Sequence, residues 1–166
     1  MVLDTLFQRL HETQVASAIR ENANAFPWIE SIHVLAITLV FGTIVIVDLR
    51  MLGYAAHRRG LRRLILDMLP FTWAAFAIAV VTGSLLFISN AVTYANNVQF
   101  QWKMLVILAA GINMAIFHMT AHRRIADWDE AVPTPLSARL SGATSLALWM
   151  VVIVLGRFVG FTLAPF

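Results

Sequence analysis

Residues 34–47 read Val-Leu-Ala-Ile-Thr-Leu-Val-Phe-Gly-Thr-Ile-Val-Ile-Val, a run with no ionisable side chain, bounded by His33 and Asp48. Extended outward to Trp28 and Leu49, it reaches the roughly 20 residues that a helix needs to cross a bilayer core. Three further apolar segments follow, at about 71–90, 103–121 and 141–161, and the first of these carries no charge. Lipid offers the backbone no hydrogen-bond partners, so a chain spanning it must satisfy them internally as helix or closed barrel. Segments of this length and continuity predict helices. The expected fold is therefore all-α: an integral membrane four-helix bundle over residues 28–166, preceded by an N-terminal segment, residues 1–27.

Composition agrees. Sixty per cent of the 166 residues are apolar and 13% are charged, against roughly 25% charged in a soluble domain. The absence of cysteine excludes disulfides, thiolate metal sites and cysteine nucleophiles. The net charge of +3 does not point to nucleic acid, because the basic residues sit in short loops between apolar spans. Eight of them (Arg50, Arg58, Arg59, Arg62, Arg63, Arg123, Arg124 and Arg139) lie in or beside two loops, against Arg9 and Arg20 in the N-terminal segment. The positive-inside rule then places those loops in the cytoplasm and both termini in the periplasm of a bacterial inner membrane. The opening Met1-Val2-Leu3-Asp4 lacks the basic start of a cleaved leader, so the first span is expected to direct insertion itself. Leu3, Leu6, Phe7, Leu10 and Ile19, set among Asp4, Arg9, His11, Glu12 and Arg20, predict an amphipathic helix lying at the interface, broken by Asn22 to Pro27.

Ionisable groups inside spans are costly and mark candidate sites. At about 1.5 Å of rise per residue, His33 and Arg157 each lie roughly 6 Å below the outer boundary and Lys103 lies at it. With Glu30, and with Asn90 or Tyr94, these predict an outer polar cluster. A second cluster is expected on the opposite side, where His118 and His122 share a helical face and Asp48, Arg50 and His57 end the first span. His33 and His118 differ in depth by roughly 18 Å on the same rise, so one haem cannot bridge them. Gly156 and Gly160 form one GxxxG step, a candidate close-packing or homo-oligomer face.

The runs Trp28-Ile29-Glu30-Ser31-Ile32-His33-Val34-Leu35, Asp48-Leu49-Arg50-Met51-Leu52-Gly53, Thr82-Gly83, Trp102-Lys103-Met104-Leu105, Asn113 with Phe117-His118, and Trp128-Asp129 resemble an uncharacterised bacterial four-span membrane family. More distantly, the order His33, Arg50, Thr82-Gly83, Lys103, His118 resembles the HemJ-type protoporphyrinogen oxidases and the copper-resistance D membrane proteins. That resemblance implies haem b within the bundle and redox chemistry with a quinone or porphyrin. Phe117 stands where the HemJ pattern has tyrosine, which bears on the reaction more than on haem binding.

Two functions are thus expected. The first is a b-type haem protein, a membrane oxidoreductase or electron carrier, with His33 and then His118 as iron ligands and His122 a weaker one. In it Lys103, Arg157 and Arg50 offset haem propionates or an anionic substrate. The second is a cofactor-free membrane subunit or small transport protein, with structural ion pairs inside the membrane and the bilayer as its first partner. Copper handling fits less well, because the seven methionines are scattered.

Overall fold

The computed structural model describes residues 2–54, 60–129 and 134–163, with side chains from residue 5 onward. His57, Arg58, Arg59, Glu130 and Pro133 lie outside the described residues. The described chain is helical throughout: α1 (Val2–His11), α2 (Gln14–Glu21), α3 (Ala25–Leu52), α4 (Leu61–Ser89), α5 (Ala91–Asn96), α6 (Val98–Met119), a 3-10 turn (His122–Arg124), α7 (Ile125–Trp128) and α8 (Leu136–Leu163). Helices α3, α4, α6 with its continuation, and α8 are long and apolar enough to cross a membrane. The protein is an all-α four-helix membrane bundle.

Each long helix extends beyond the apolar run that predicts it. α4 begins at Leu61 rather than near residue 71 and passes through Pro70. Arg62, Arg63 and Asp67 lengthen its polar end on the surface, a length that hydrophobicity alone does not register. α3 begins at Ala25 with Pro27 in its first turn, where the missing N–H has no intrahelical acceptor to lose. The N-terminal segment is two helices, not one. Thr13 separates them, its hydroxyl accepting from Ala16 N at 3.3 Å as the N-cap of α2.

α3 packs along α4 and α8, and α6 along α8, whereas α4 and α6 do not pack closely among the described residues. The bundle is therefore a horseshoe in section, with a gap between α4 and α6. α2 lies against α4 and α3, and α1 against α5 and α4. Arg20 ties this arm down: its Nη1 donates to the carbonyls of His11 and Ser89, both at 2.9 Å. A cation at the last carbonyls of α4 also suits the negative end of that helix. Phe87 stacks on Phe100 at 5.4 Å and meets Phe7 edge-on at 6.0 Å, so this end of the bundle is packed with aromatic rings from three helices.

The opposite end holds the main buried apolar cluster, which includes Met51, Leu61, Leu64, Phe117, Ile125, Trp128 and Ala138. Gly53, at φ 84°, ends α3, with its N–H and that of Tyr54 donating to the Arg50 and Leu49 carbonyls. Thr134 adds a hydroxyl donor to the Met51 carbonyl. The start of α4 is capped from far along the chain: the Asp129 carbonyl accepts from Leu61 N at 3.3 Å, and its carboxylate from Arg62 N at 2.6 Å. Asp129→Ala removes the carboxylate cap and should cost about 1 kcal/mol, read as a lowered midpoint in detergent unfolding. An unchanged midpoint would show that water replaces the cap.

Candidate functional site

His33 on α3 faces α4. Its Nδ1 lies 2.9 Å from Thr82 Oγ1, while the Thr82 hydroxyl lies 2.7 Å from the Ile78 carbonyl. With the hydroxyl proton on a carbonyl of α4, Ile78 or Ala79 at 3.3 Å, Thr82 Oγ1 accepts and His33 Nδ1 donates; the Ala79 backbone also hydrogen-bonds the ring. In that tautomer Nε2 carries the lone pair. The ring approaches α4 this closely because Gly83 has no side chain: a Cβ there would stand 2.9 Å from Cε1 and 3.4 Å from Nδ1.

Lys103 on α6 stands near enough to His33 to act on it electrostatically. Its chain lies across Gly156 of α8, Nζ being 3.7 Å from where a Cβ would sit. Among the described residues no hydrogen bond or ion pair holds that ammonium. All four spanning helices thus contribute to the outer cluster: His33, Thr82 with Gly83, Lys103 and Gly156. Glu30 is exposed, and burial, helped by the Glu30 charge, pushes the Tyr94 phenol up. Arg157 departs from this cluster. It is exposed, its guanidinium sits 4.4 Å from the Phe161 ring centroid, and no ion pair joins it to Glu30 among the described residues. The step from Gly156 to Gly160 divides in the same way, since Gly156 is covered by Lys103 and Gly160 has open space where a Cβ would be.

The second cluster is nearer the loop end. His118 Nδ1 lies 2.9 Å from the Met114 carbonyl, an acceptor only, so Nδ1 carries the proton. Its ring lies 5.0 Å from that of His122. Arg50 is fully buried, with its Nη2 donating to the Asp129 carbonyl at 3.1 Å. It is therefore placed among the loop-end contacts and apart from His33 and Lys103. Asp48 is 3% exposed and hydrogen-bonded by Ser145. Asp48, Ser145, Asn113, Ser141 and His118 line a cavity of about 190 Å³ between the four helices, which His33 and Lys103 do not line. The two histidines occupy separate surroundings, as the depth argument requires.

Several partners lie beyond what spacing reveals. Ser145 and Asn113 on different helices, and Asp129 as the distant cap, carry no local signal except that Ser141, Gly142 and Ser145 mark one small polar face of α8. Gly142 lets α3 approach there, a Cβ being 3.2 Å from the Asp48 carbonyl oxygen. Among the described residues no group of three or more metal-binding side chains converges.

Fold and sites together define a multi-pass membrane bundle with two polar centres buried between its helices. The chain belongs to a family of unknown function, DUF6644, whose model matches residues 23–162, all four spanning helices included. No curated protein and no solved structure matches the chain.

Proposed function

We propose that the protein is a bacterial inner-membrane b-type haem protein with His33 as the iron ligand. The observation that carries this reading is the 2.9 Å contact of His33 Nδ1 with Thr82: with Nδ1 donating there, Nε2 keeps a lone pair for a metal, the way bound histidines are oriented by an outer partner. The Lys103 ammonium, which has no acceptor among the described residues, suits a propionate. Haem supplies one-electron redox chemistry when bound, and the chain supplies the ligand, its orientation and the cation. The exchange partner proposed is a quinone or porphyrin, on the strength of the distant HemJ-type resemblance. His118 fits a haem less well, because its cavity is smaller than the roughly 300–1,000 Å³ of ordinary ligand pockets. Arg157 and Arg50 have other contacts and are left out of this haem site.

The test is a reduced-minus-oxidised spectrum of detergent-purified protein expressed with ample haem. Sharp Soret and alpha bands are expected, lost in His33→Ala and weakened in Thr82→Val, where loss of the orienting bond should lower haem affinity about 10- to 100-fold. A colourless parent, or a His33→Ala variant with full bands, sinks the reading.

The second reading is a cofactor-free subunit or small transporter, self-associating through the face bearing Gly156 and Gly160. It is favoured by Gly160, whose surroundings are open on the exposed side of α8. For orientation we propose both termini in the periplasm, from the arginine loops. The chain has no cysteine, so single cysteines report sidedness directly. One at Asn96 should label from outside intact spheroplasts and one at Arg124 only after permeabilisation; the reverse pattern inverts the topology.

A further inference from the structure

The gap between α4 and α6 is filled by the 190 Å³ cavity, and the hydrogen-bonding groups along its wall are unequal in what they lack. Asn113 Nδ2 donates to the Ser141 carbonyl at 3.1 Å and its Oδ1 meets the Ser141 hydroxyl at 3.3 Å, so that pair satisfies itself. Ser145 serves one side of Asp48, but Asp48 Oδ2 is buried with no hydrogen-bond partner among the described residues. His118 has spent its Nδ1 proton on Met114 and keeps an Nε2 lone pair. Two acceptors in the cavity wall are thus left unmet among the described residues, and one of them belongs to a carboxyl group. A buried carboxylate without a partner is costly, and a ligand that brings donors removes that cost.

The rest of the wall describes the body of such a ligand. Trp73, Phe76 and Trp149 line the cavity with apolar and aromatic surface. Aromatic faces attract cations, and attraction between a carboxylate and a cation grows as the local dielectric falls. Trp73 and Met114 line the cavity yet are 49% and 42% exposed on the outside of the bundle, so the opening faces sideways, toward lipid. A cavity of about 150 Å³ accepts benzene, so this one takes a single ring with a short chain.

We propose that this cavity binds a small lipophilic ammonium, which arrives from the bilayer and places its N–H donors on Asp48 Oδ2 with its ring among Trp73, Phe76 and Trp149. The inference stands apart from the haem reading, because neither His33 nor Lys103 lines the cavity; a colourless protein leaves it intact.

The experiment is titration calorimetry on the full chain in detergent micelles, with 2-phenylethylamine as the probe and 2-phenylethanol as its neutral counterpart. Saturable binding of the amine is expected, at least tenfold tighter than that of the alcohol. Asp48→Asn should weaken the amine tenfold or more and leave the alcohol unchanged. Gly111→Leu offers a second test that does not touch the carboxyl group: Gly111 lines the cavity, nothing lies within 4 Å of its Cβ position, and the added side chain should block both probes without unfolding the protein. Equal affinity for amine and alcohol overturns the proposal, as does an amine affinity unaffected by both variants. Absence of saturable amine binding, or stronger competition by hydroquinone than by the amine, overturns it as well.

Discussion

Replacing Arg50 with alanine is expected to lower the unfolding free energy in detergent by about 3–5 kcal/mol, from a lost hydrogen bond to a charged group together with the cavity left by a fully buried side chain. Arg50 has no exposed surface, and its Nη2 reaches the carbonyl of Asp129, the residue that also caps α4 through Leu61 N and Arg62 N. One side chain thereby joins the end of α3, the start of α4 and the segment after α6. Without it the Asp129 carbonyl loses a charged donor and the apolar cluster around Met51 and Trp128 borders a void. Arg50→Lys keeps the charge and loses the planar fork, so an intermediate loss is expected. The check is helicity and tryptophan fluorescence followed against rising SDS mole fraction. A shift under about 1 kcal/mol for Arg50→Ala would mean that the loop-end cluster holds these elements by itself, since ordinary surface substitutions fall within about 0.5 kcal/mol.

The second large effect is expected at Gly83. A valine there places Cβ 2.9 Å from His33 Cε1, inside any real contact distance, and the neighbour is a ring already held by Thr82. Either the ring leaves Thr82 or α3 and α4 separate. Overpacking of this kind costs about 1–3 kcal/mol, and the loss of His33 position should remove the haem bands under the proposed function. Gly160→Leu is the contrasting substitution, since nothing stands within 4 Å of that Cβ position. It should leave the folded chain unaffected or slightly more stable, because glycine is the poorer helix former by up to about 1 kcal/mol. Its oligomeric state by light scattering then reports on the proposed self-association: dissociation supports that face, and an unchanged particle size removes it. Equal destabilisation by Gly83→Val and Gly160→Leu would contradict the close His33 contact.

The outer cluster is partly legible in the chain. His33 and Lys103 are found together because a helix converts residue number into depth at a constant rise, and groups at equal depth in neighbouring helices are natural partners. The same arithmetic separates His33 from His118. It fails for Arg157 because depth says nothing about direction around the helix: one turn onward Phe161 offers its ring on the exposed side, and the guanidinium takes it. Arg50 shows the converse. Its place at the end of the first span reads as an interfacial cation, yet it is fully buried because Asp129, far along the chain, folds back over it.

The number of spans, their helical state and the approximate depth of each ionisable residue follow from the sequence alone, because a bilayer of fixed thickness demands long apolar helices with internally bonded backbones. Which helices touch is a different matter. The horseshoe order, the gap between α4 and α6, the seat of His33 against Gly83, and the meeting of Asp48 with Ser145 were decided by tertiary packing, where small residues permit approach and side chains from distant segments compete for the same few hydrogen-bonding groups.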